Sequence, residues 1–197
     1  MRAAYAAAVD EYEGAFADDL AQLELDRRVL DTLARDVARD GLVLDAGCGP
    51  GHLAEYLSAA GATVVGLDFT YRMLEAASQR VHGLAVMAGD VRALPMRSGA
   101  VGGLVAFYVF QHVRRHEFPR ALAECRRVLR AGGLLVTAVH EGAGEFAVGD
   151  VTGNLYTATE VVDRLNDASF TVEAVDRRAP LPHERQGDRC YVLARAT

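Results

Sequence analysis

LVLDAGCGPG, residues 42–51, is the stretch that decides the fold, because it reads as a strand that runs into a glycine-rich turn. The apolar run 42–44 is typical of a buried strand in a parallel sheet, and Asp45 places a carboxylate where that strand ends. Residues 52–58 after the turn, HLAEYLS, have the composition of a helix. Glycine at every second position of the turn lets backbone N–H groups approach a ligand closely, and a helix start favours an anionic ligand group. The stretch therefore predicts a strand–turn–helix unit that binds a ligand.

Two classes of ligand are bound by turns of this kind. The dinucleotide-binding pattern G-x-G-x-x-G, counted from Gly47, requires glycine at position 52, where this chain has His52. The pattern present is an acid followed by three alternating glycines, Asp45-x-Gly47-x-Gly49-x-Gly51. It resembles the D/E-x-G-x-G-x-G turn of the class I S-adenosylmethionine-dependent methyltransferases. An NAD-type oxidoreductase stays as an alternative, which His52 disfavours.

Strands and helices alternate along the chain, which predicts an α/β fold with a doubly wound sheet. The resemblance implies a seven-stranded, mostly parallel, Rossmann-like sheet whose last strand is antiparallel, with a lid of N-terminal helices. We expect a single domain over residues 1–197. It divides into N-terminal helices at 1–40, a cofactor-binding half at 41–140, and a C-terminal helix and hairpin at 141–197.

Four stretches give specific expectations for the boundaries of elements. The apolar run 101–110 predicts a long central strand, and the pair Gly132-Gly133 predicts the end of the helix that follows it. Residues 142–150 are rich in glycine and predict a flexible loop. The motif TATE at 157–160 is a capping box and predicts the start of a helix.

The second predicted strand ends at an acid that suits a nucleoside. Asp68 lies 21 residues after Gly47, close to the distance at which an acid meets the ribose in nucleotide-binding α/β units. A carboxylate there can accept hydrogen bonds from both ribose hydroxyls. Phe69 and Met73 follow it, and their apolar side chains can lie against an adenine ring.

The resemblance implies further contacts with S-adenosylmethionine. Asp90 matches the acid that accepts from the adenine amino group, and the N–H of Val91 matches the group that reaches the ring. The main chain at Phe107 matches the position that meets the methionine ammonium. The turn residues expected at the cofactor are Asp45, Gly47, Cys48, Gly49 and Gly51.

The implied reaction is transfer of the sulfonium methyl group to a nucleophile, with S-adenosylhomocysteine as the product. A general base is needed only when the acceptor must lose a proton. His112 and His140, which follow the fourth and fifth predicted strands, are the candidates for that role, and His183 is a third. Each of these histidines also has a structural interpretation, as a packing or capping residue.

The N-terminal helices carry a face of large side chains. Tyr5, Val9, Tyr12 and Phe16 recur at spacings of three and four, which places them on one side of a helix. This face can pack against the domain or close over the cofactor, and the two interpretations are compatible. We expect the acceptor cavity between Tyr5, Tyr12, His112 and His140.

The composition limits the partners. The net charge is −6, the 21 basic residues are all arginine, and no basic face is clustered, which argues against a nucleic-acid substrate. The three cysteines are scattered and form no C-x-x-C pair, so we expect no metal site and a reducing, cytoplasmic environment. No signal peptide and no long apolar span is evident, so no membrane contact is expected.

The sequence thus predicts a methyltransferase that acts on a small molecule. A module that holds S-adenosylmethionine without transferring its methyl group stays as an alternative. The acceptor atom and the oligomeric state are left open at this point.

Overall fold

The computed structural model describes residues 20, 23–37, 41–148, 151–182, 184 and 187–197. The helices within these residues are α1 (Glu24–Val37), α2 (His52–Ala59), α3 (Tyr71–Arg80), α4 (Phe118–Val128) and α5 (Ala158–Asp167). The strands are β1 (Leu42–Ala46), β2 (Thr63–Asp68), β3 (Ala85–Ala88), β4 (Val101–Phe107), β5 (Leu129–His140), β6 (Glu145–Val148), β7 (Val151–Asn154), β8 (Phe170–Arg178) and β9 (Arg189–Ala196). None of the described helices is long and apolar enough to span a bilayer.

Seven of the strands form one sheet in the order β3-β2-β1-β4-β5-β9-β8. The first five strands of that order run parallel to one another, whereas β9 is antiparallel to both β5 and β8. The predicted seven-stranded, mostly parallel sheet is therefore confirmed. Because the chain builds outward from β1 in both directions, a crevice forms at the carboxyl ends of β1 and β4, where such sheets bind ligands.

Helices cover both faces of this sheet. In β4, Leu104 packs in one apolar cluster with Leu122 of α4, whereas the next residue, Val105, packs in a second cluster with Leu30 of α1. Successive side chains of a strand point to opposite faces, so a fully apolar strand needs an apolar partner on each side. This arrangement is the doubly wound architecture that the alternation of elements predicts.

The described N-terminal helix, α1, has an apolar face. In α1, Val29, Leu30, Leu33 and Val37 are buried against the sheet. The other N-terminal expectations, including the positions of Tyr5 and Tyr12, lie outside the described residues.

The central strand is shorter than the apolar run 101–110 predicts. β4 ends at Phe107, and Tyr108 then takes a φ of 59°, in the left-handed region, which turns the chain out of the sheet. Residues Phe110–His112 form a short 3₁₀ helix, and Phe110 packs against Phe118 with ring centroids 4.9 Å apart. Phe110 is thus buried outside the sheet, which hydrophobicity alone cannot distinguish from burial in a strand.

The prediction that Gly132-Gly133 ends a helix is wrong. The helix α4 ends at Val128, and both glycines lie in the first half of β5. A Cβ added at Gly133 would stand 2.9 Å from the carbonyl oxygen of Gly102, so glycine here allows β5 and β4 to approach closely.

The predicted loop at 142–150 contains regular structure. β6 and β7 pair as an antiparallel two-stranded sheet, in which Phe146 stands opposite Gly153. A Cβ at Gly153 would lie 2.5 Å from the Phe146 ring, so the ring occupies the space that glycine leaves. The capping box that follows is confirmed, since the Thr157 hydroxyl accepts a hydrogen bond from the N–H of Glu160 at 3.2 Å.

A glycine in β4 sets how closely α1 approaches the sheet, and Gly103→Ala tests it. The added Cβ would lie 2.7 Å from Leu33 Cδ1 and from Val37 Cγ2, so we expect a loss of about 1–3 kcal/mol in the free energy of unfolding. Urea denaturation measures it.

The neighbouring variant Gly102→Ala is the control. Its Cβ would meet its nearest atoms at 3.2–3.3 Å, two of them at the far end of the Arg130 side chain, so its cost is expected to be smaller. Equal costs for the two variants would show that α1 does not depend on the missing side chain at position 103.

Candidate functional site

The glycine turn is fastened to the end of β2. The N–H groups of Gly47 and Cys48 both donate to the carbonyl oxygen of Leu67, at 2.6 and 2.9 Å. The N–H of Gly49 donates to the Asp68 carboxylate at 3.1 Å. The ends of β1 and β2, at Ala46 and Asp68, are therefore held side by side.

The three glycines of the turn have different tasks. All have positive φ angles, between 51° and 91°, which glycine adopts without the strain that other residues incur. A Cβ at Gly49 would meet no protein atom within 4 Å, so its missing side chain leaves open space beside the turn. A Cβ at Gly51 would lie 3.1 Å from Ala77, so this glycine allows α2 to pack against α3. Gly51, expected at the cofactor, thus serves helix packing and does not line the cavities described next.

Two adjoining cavities open at this edge of the sheet. Cavity A, of about 220 Å³, lies between the turn, α1 and the ends of β4 and β8. Cavity B, of about 430 Å³, lies between the ends of β2 and β3 and the segment after β4. They share the residues Gly47, Asp68, Phe69, Val109 and His112.

Most of the residues predicted at the cofactor line these cavities. Those in cavity A are Gly47, Cys48, Gly49, Asp68, Phe69, Met73 and Phe107. Asp90 and Val91 lie in cavity B. The structure therefore brings together side chains from four strand ends, as the sequence predicts, with Asp68 and Phe69 where the cavities meet.

Asp68 is a buried acid that organises the site. Its Oδ1 accepts from the N–H of Thr70 at 2.8 Å, and its Oδ2 accepts from Gly49. Burial raises the pKa of this carboxyl, and the two backbone hydrogen bonds oppose the shift. A carboxylate has about four acceptor positions, so Asp68, which lines both cavities, can accept a further hydrogen bond from a ligand there.

Asp45 is fully buried beneath the turn and lines neither cavity. Neither of its oxygens has a hydrogen-bond partner among the described residues. Burial raises its pKa to about 7, and the nearby charge of Asp68 adds to the shift. A cationic group bound at the turn would relieve this unfavourable negative potential.

Asp90 is held by an arginine that the sequence analysis did not single out. Arg92 donates to both oxygens of Asp90, at 2.9 and 2.5 Å, and to Glu117 at 2.7 Å. These three charged side chains form part of the wall of cavity B. Asp90 thus lies at the predicted place but shares its acceptor positions with Arg92.

The candidate histidines have different surroundings. His112 lines both cavities, and burial lowers its pKa to about 4. Its Nδ1 lies 3.3 Å from the carbonyl oxygen of Thr152, which can only accept, so Nδ1 carries the proton. Its Nε2 then accepts from the amide of Gln111 at 3.3 Å. Both ring nitrogens are therefore engaged, which makes His112 a poor general base in this conformation.

His140 lines neither cavity. It stacks on Phe146 at 5.4 Å and meets the edge of Tyr108 at 5.0 Å. His183 lies outside the described residues. The structure thus gives His140 no place at the candidate site.

A cluster of polar side chains that was not predicted from the sequence lies at the far end of cavity A. We define the Asp26 cluster as Asp26, Tyr108, Arg178, Glu184 and Tyr191; all but Tyr191 line the cavity. Arg178 donates from Nε to Asp26 at 3.2 Å and from its two terminal nitrogens to Glu184 at 2.6 and 2.8 Å. The Tyr191 hydroxyl lies 2.9 and 2.8 Å from the Asp26 oxygens and 3.0 Å from the Tyr108 hydroxyl.

One signal in the sequence points to this cluster. Asp26 stands four residues before Leu30 and seven before Leu33, so it lies on the apolar face of α1. An acid on the buried face of a helix requires partners in the interior. No comparable pattern in the sequence marks Arg178 in β8 or Tyr191 in β9.

Comparisons with known proteins agree with this geometry. The family described as "Methyltransferase domain" matches residues 44–137. The malonyl-[acyl-carrier protein] O-methyltransferase of Pectobacterium atrosepticum is 36% identical over 107 residues, covering 54% of this chain and 42% of that protein. The demethylmenaquinone methyltransferase of Thermobifida fusca is 34% identical over 108 residues, covering 52% of this chain and 45% of that protein. The chain therefore spans less than half the length of these curated relatives.

A solved structure shares the fold. The 1,6-didemethyltoxoflavin-N1-methyltransferase of Burkholderia thailandensis, with bound 1,6-didemethyltoxoflavin and S-adenosylhomocysteine, superposes with a TM-score of 0.73. The match covers 100% of this chain and 91% of that chain at 23% identity.

The buried charge of Asp45 predicts a pH-dependent stability. The folded chain keeps the Asp45 proton up to about pH 7, whereas the unfolded chain loses it near 3.8. The stability from this proton is fully present below the lower value and is lost as the pH rises through the higher one, by about 1.4 kcal/mol per pH unit. Asp45→Asn, which cannot ionise, should therefore raise Tm more at about pH 8 than at about pH 5.

Calorimetric melts of the ligand-free protein measure this difference. The exposed Asp163→Asn is the control and should leave Tm nearly unchanged at both pH values. An equal gain from Asp45→Asn at both pH values would mean that Asp45 is not a buried titrating acid.

The cavities fit S-adenosylmethionine. Phe69 and Val91 offer apolar contacts for adenine in cavity B, and Asp68 stands at the junction as an acceptor for ribose hydroxyls. The open space at Gly49 leaves room for the methionine portion beside the turn. Residues 44–137 match the methyltransferase-domain family, and the acid-glycine turn and the fold agree with the class I S-adenosylmethionine-dependent methyltransferases that this part of the chain resembles.

Proposed function

We propose that the protein transfers the methyl group of S-adenosylmethionine to a small organic acceptor bound in cavity A. The observation that carries the proposal is the continuity of the two cavities. Cavity B suits the nucleoside, and cavity A extends beyond the turn to the Asp26 cluster, which leaves room for a second molecule. An acceptor beside the cofactor is what an in-line displacement requires.

The walls of cavity A favour a mainly apolar acceptor. Leucine, phenylalanine, methionine and valine side chains line much of it. Polar side chains lie at the end that holds Asp26 and Arg178 and at the junction, where Asp68 lies. Small-molecule sites commonly combine an apolar pocket with a few polar groups that set orientation. The net charge of −6 gives no attraction for a nucleic-acid backbone.

The names of two relatives are consistent with an organic acceptor, since they refer to a malonyl group on acyl carrier protein and to demethylmenaquinone. Because the chain spans less than half of each relative, neither substrate is assigned to it. The bound cofactor supplies an electrophilic methyl group. This chain's residues bind and orient it, with Asp68 on the ribose and the glycine turn on the methionine portion.

The direct test follows the label of [methyl-³H]S-adenosylmethionine in a size-fractionated cell extract. Label in the low-molecular-weight fraction, dependent on the protein, is the expected result. Label only in protein or nucleic acid, or cofactor binding without any transfer, would contradict a small-molecule methyltransferase. The latter result would favour a module that holds the cofactor without transferring its methyl group.

A further prediction concerns the class of cofactor that the protein binds. Titration calorimetry should show binding of S-adenosylhomocysteine and little binding of NAD. The reason is that the turn has the acid-glycine pattern, and His52 stands where the dinucleotide pattern requires glycine. S-adenosylhomocysteine titrated in the presence of excess NAD is the control, and displacement by NAD would overturn the cofactor assignment.

Another prediction concerns the contribution of Asp68 to cofactor binding. Asp68→Ala should weaken S-adenosylhomocysteine binding by about 1.5–3 kcal/mol for each charged hydrogen bond lost. Since Asp68 also holds Gly49 and Thr70, a thermal melt must accompany the titration. The exposed Asp163→Ala is the matched control. An Asp68→Ala protein that is folded and binds with unchanged affinity would limit Asp68 to holding the turn.

A further inference from the structure

We propose that Tyr108, Tyr191 and Asp26 form a proton relay, and that the acceptor is a hydroxyl compound whose proton leaves along it. This proposal rests on the proposed function, since it names the chemical class of the acceptor in cavity A. It assigns a role to the Asp26 cluster, whose members come from α1, the residue after β4, the end of β8, the segment between β8 and β9, and the start of β9.

The hydrogen-bond distances determine the direction of the relay. An ionised Asp26 only accepts, so the single hydrogen of the Tyr191 hydroxyl goes to it, across 2.8–2.9 Å. Arg178 Nε also donates, to the Tyr191 oxygen at 3.0 Å and to Asp26. The contact of 3.0 Å between the two phenol oxygens must then use the hydrogen of Tyr108. Each phenol thus donates toward Asp26.

This direction gives Tyr108 a defined polarity toward the cavity. Its hydrogen is used by Tyr191, so the lone pairs of its oxygen can accept a hydrogen from a ligand in cavity A, which Tyr108 lines. If Asp26 takes up a proton, the chain of hydrogen bonds reverses, and Tyr108 then donates into the cavity. The protonation state of Asp26 is thereby transmitted to the cavity through two phenols.

The backbone holds Tyr108 in this place. Its φ of 59° is uncommon for a bulky residue and costs about 1–3 kcal/mol, so the surrounding contacts must maintain it. Its N–H donates to the carbonyl oxygen of Ala138 at 2.8 Å. Ala138 is also the residue that β9 pairs with Tyr191. The two phenols are therefore positioned from the same point of β5.

The charges around the relay suit a transient proton on Asp26. Burial raises the pKa of Asp26, and the guanidinium of Arg178 opposes that shift. Burial also raises the pKa of both tyrosines, so they remain neutral phenols. Within the cluster Glu184 pairs with Arg178, and a nitrogen of Arg189 lies 3.6 Å from Glu184. The imidazole of His140 also faces the relay, since it meets the edge of Tyr108 at 5.0 Å.

The step balances in atoms and charge. The acceptor oxygen forms its bond to the methyl carbon as the carbon–sulfur bond breaks, and the bonding pair stays on sulfur. The hydroxyl proton moves to Tyr108, the Tyr108 proton to Tyr191, and the Tyr191 proton to Asp26. One negative charge on Asp26 and one positive charge on the cofactor are both neutralised. A later loss of the Asp26 proton to water restores the relay.

Two probes test the relay without the methyl donor. The binding of 4-fluorophenol and of 4-fluoroanisole to the cofactor-free protein is measured by ¹⁹F NMR, and the Asp26 carboxyl is titrated by ¹³C NMR in the same samples. The probes differ by one hydroxyl hydrogen. With Asp26 ionised we expect 4-fluorophenol to bind about five-fold more tightly, as one hydrogen bond supplies. This preference should disappear as the pH falls through the Asp26 pKa.

Three variants separate the relay from packing. Tyr108→Phe should abolish the preference for the phenol. Tyr191→Phe interrupts the path to Asp26, so it should abolish the pH dependence of the preference. A pH dependence that came from His52 or His112, in the same cavity, would persist in this variant. The control is Tyr156→Phe, which removes a buried hydroxyl that has no hydrogen-bond partner in the described part of the chain. It should behave as the parent does.

Several results would overturn the relay. These are equal binding of the two probes to the parent, a preference that survives Tyr108→Phe, and a pH dependence that survives Tyr191→Phe. Failure of both probes to bind, or an Asp26 that titrates no higher than an exposed aspartate, would also overturn it. If the protein did not bind S-adenosylhomocysteine, that result would contradict the proposed function. It would leave the outcome of the two-probe experiment unchanged.

Discussion

The carbonyl oxygen of Leu67 is the contact on which the site depends. It accepts from both Gly47 and Cys48, so the turn after β1 cannot move independently of the end of β2. Asp68, the next residue, can then reach Gly49 and Thr70 together. The junction of the two cavities follows from this arrangement, since Asp68 and Phe69 belong to both. A cofactor that spans the junction contacts a surface that the sheet itself makes rigid.

Electrostatics in the ligand-free protein work against stability. Asp45 and Asp68 are both buried close to one another, and burial raises the pKa of each. Such acids are tolerated when function requires them, and a bound cation compensates them. The glycine turn therefore combines a conformational need, which is positive φ, with an electrostatic need, which is an acid below it.

The two halves of the sheet form different parts of the candidate site. The β1, β2 and β3 ends form the part that suits a nucleoside, whereas β4, β8 and β9 carry the Asp26 cluster. α1 connects to this second half because Gly103 lets it lie close to β4, and Asp26 reaches Arg178 and Tyr191 from there. This end of cavity A thus depends on the packing of a helix that precedes the first strand.

Local patterns in the sequence determined the strand–turn–helix unit, the acid at the end of β2 and the capped helix α5, because each is decided by residues within one turn or one strand. The same patterns predicted that side chains from several strands meet at one edge of the sheet, since the carboxyl ends of parallel strands share that edge. Only the tertiary structure decided the rest. Asp26 and Arg178 are 152 residues apart, Gly51 is required by Ala77 of another helix, and Tyr108 leaves the sheet through a left-handed φ. These features depend on contacts between distant segments, and no periodicity or spacing within a segment records them.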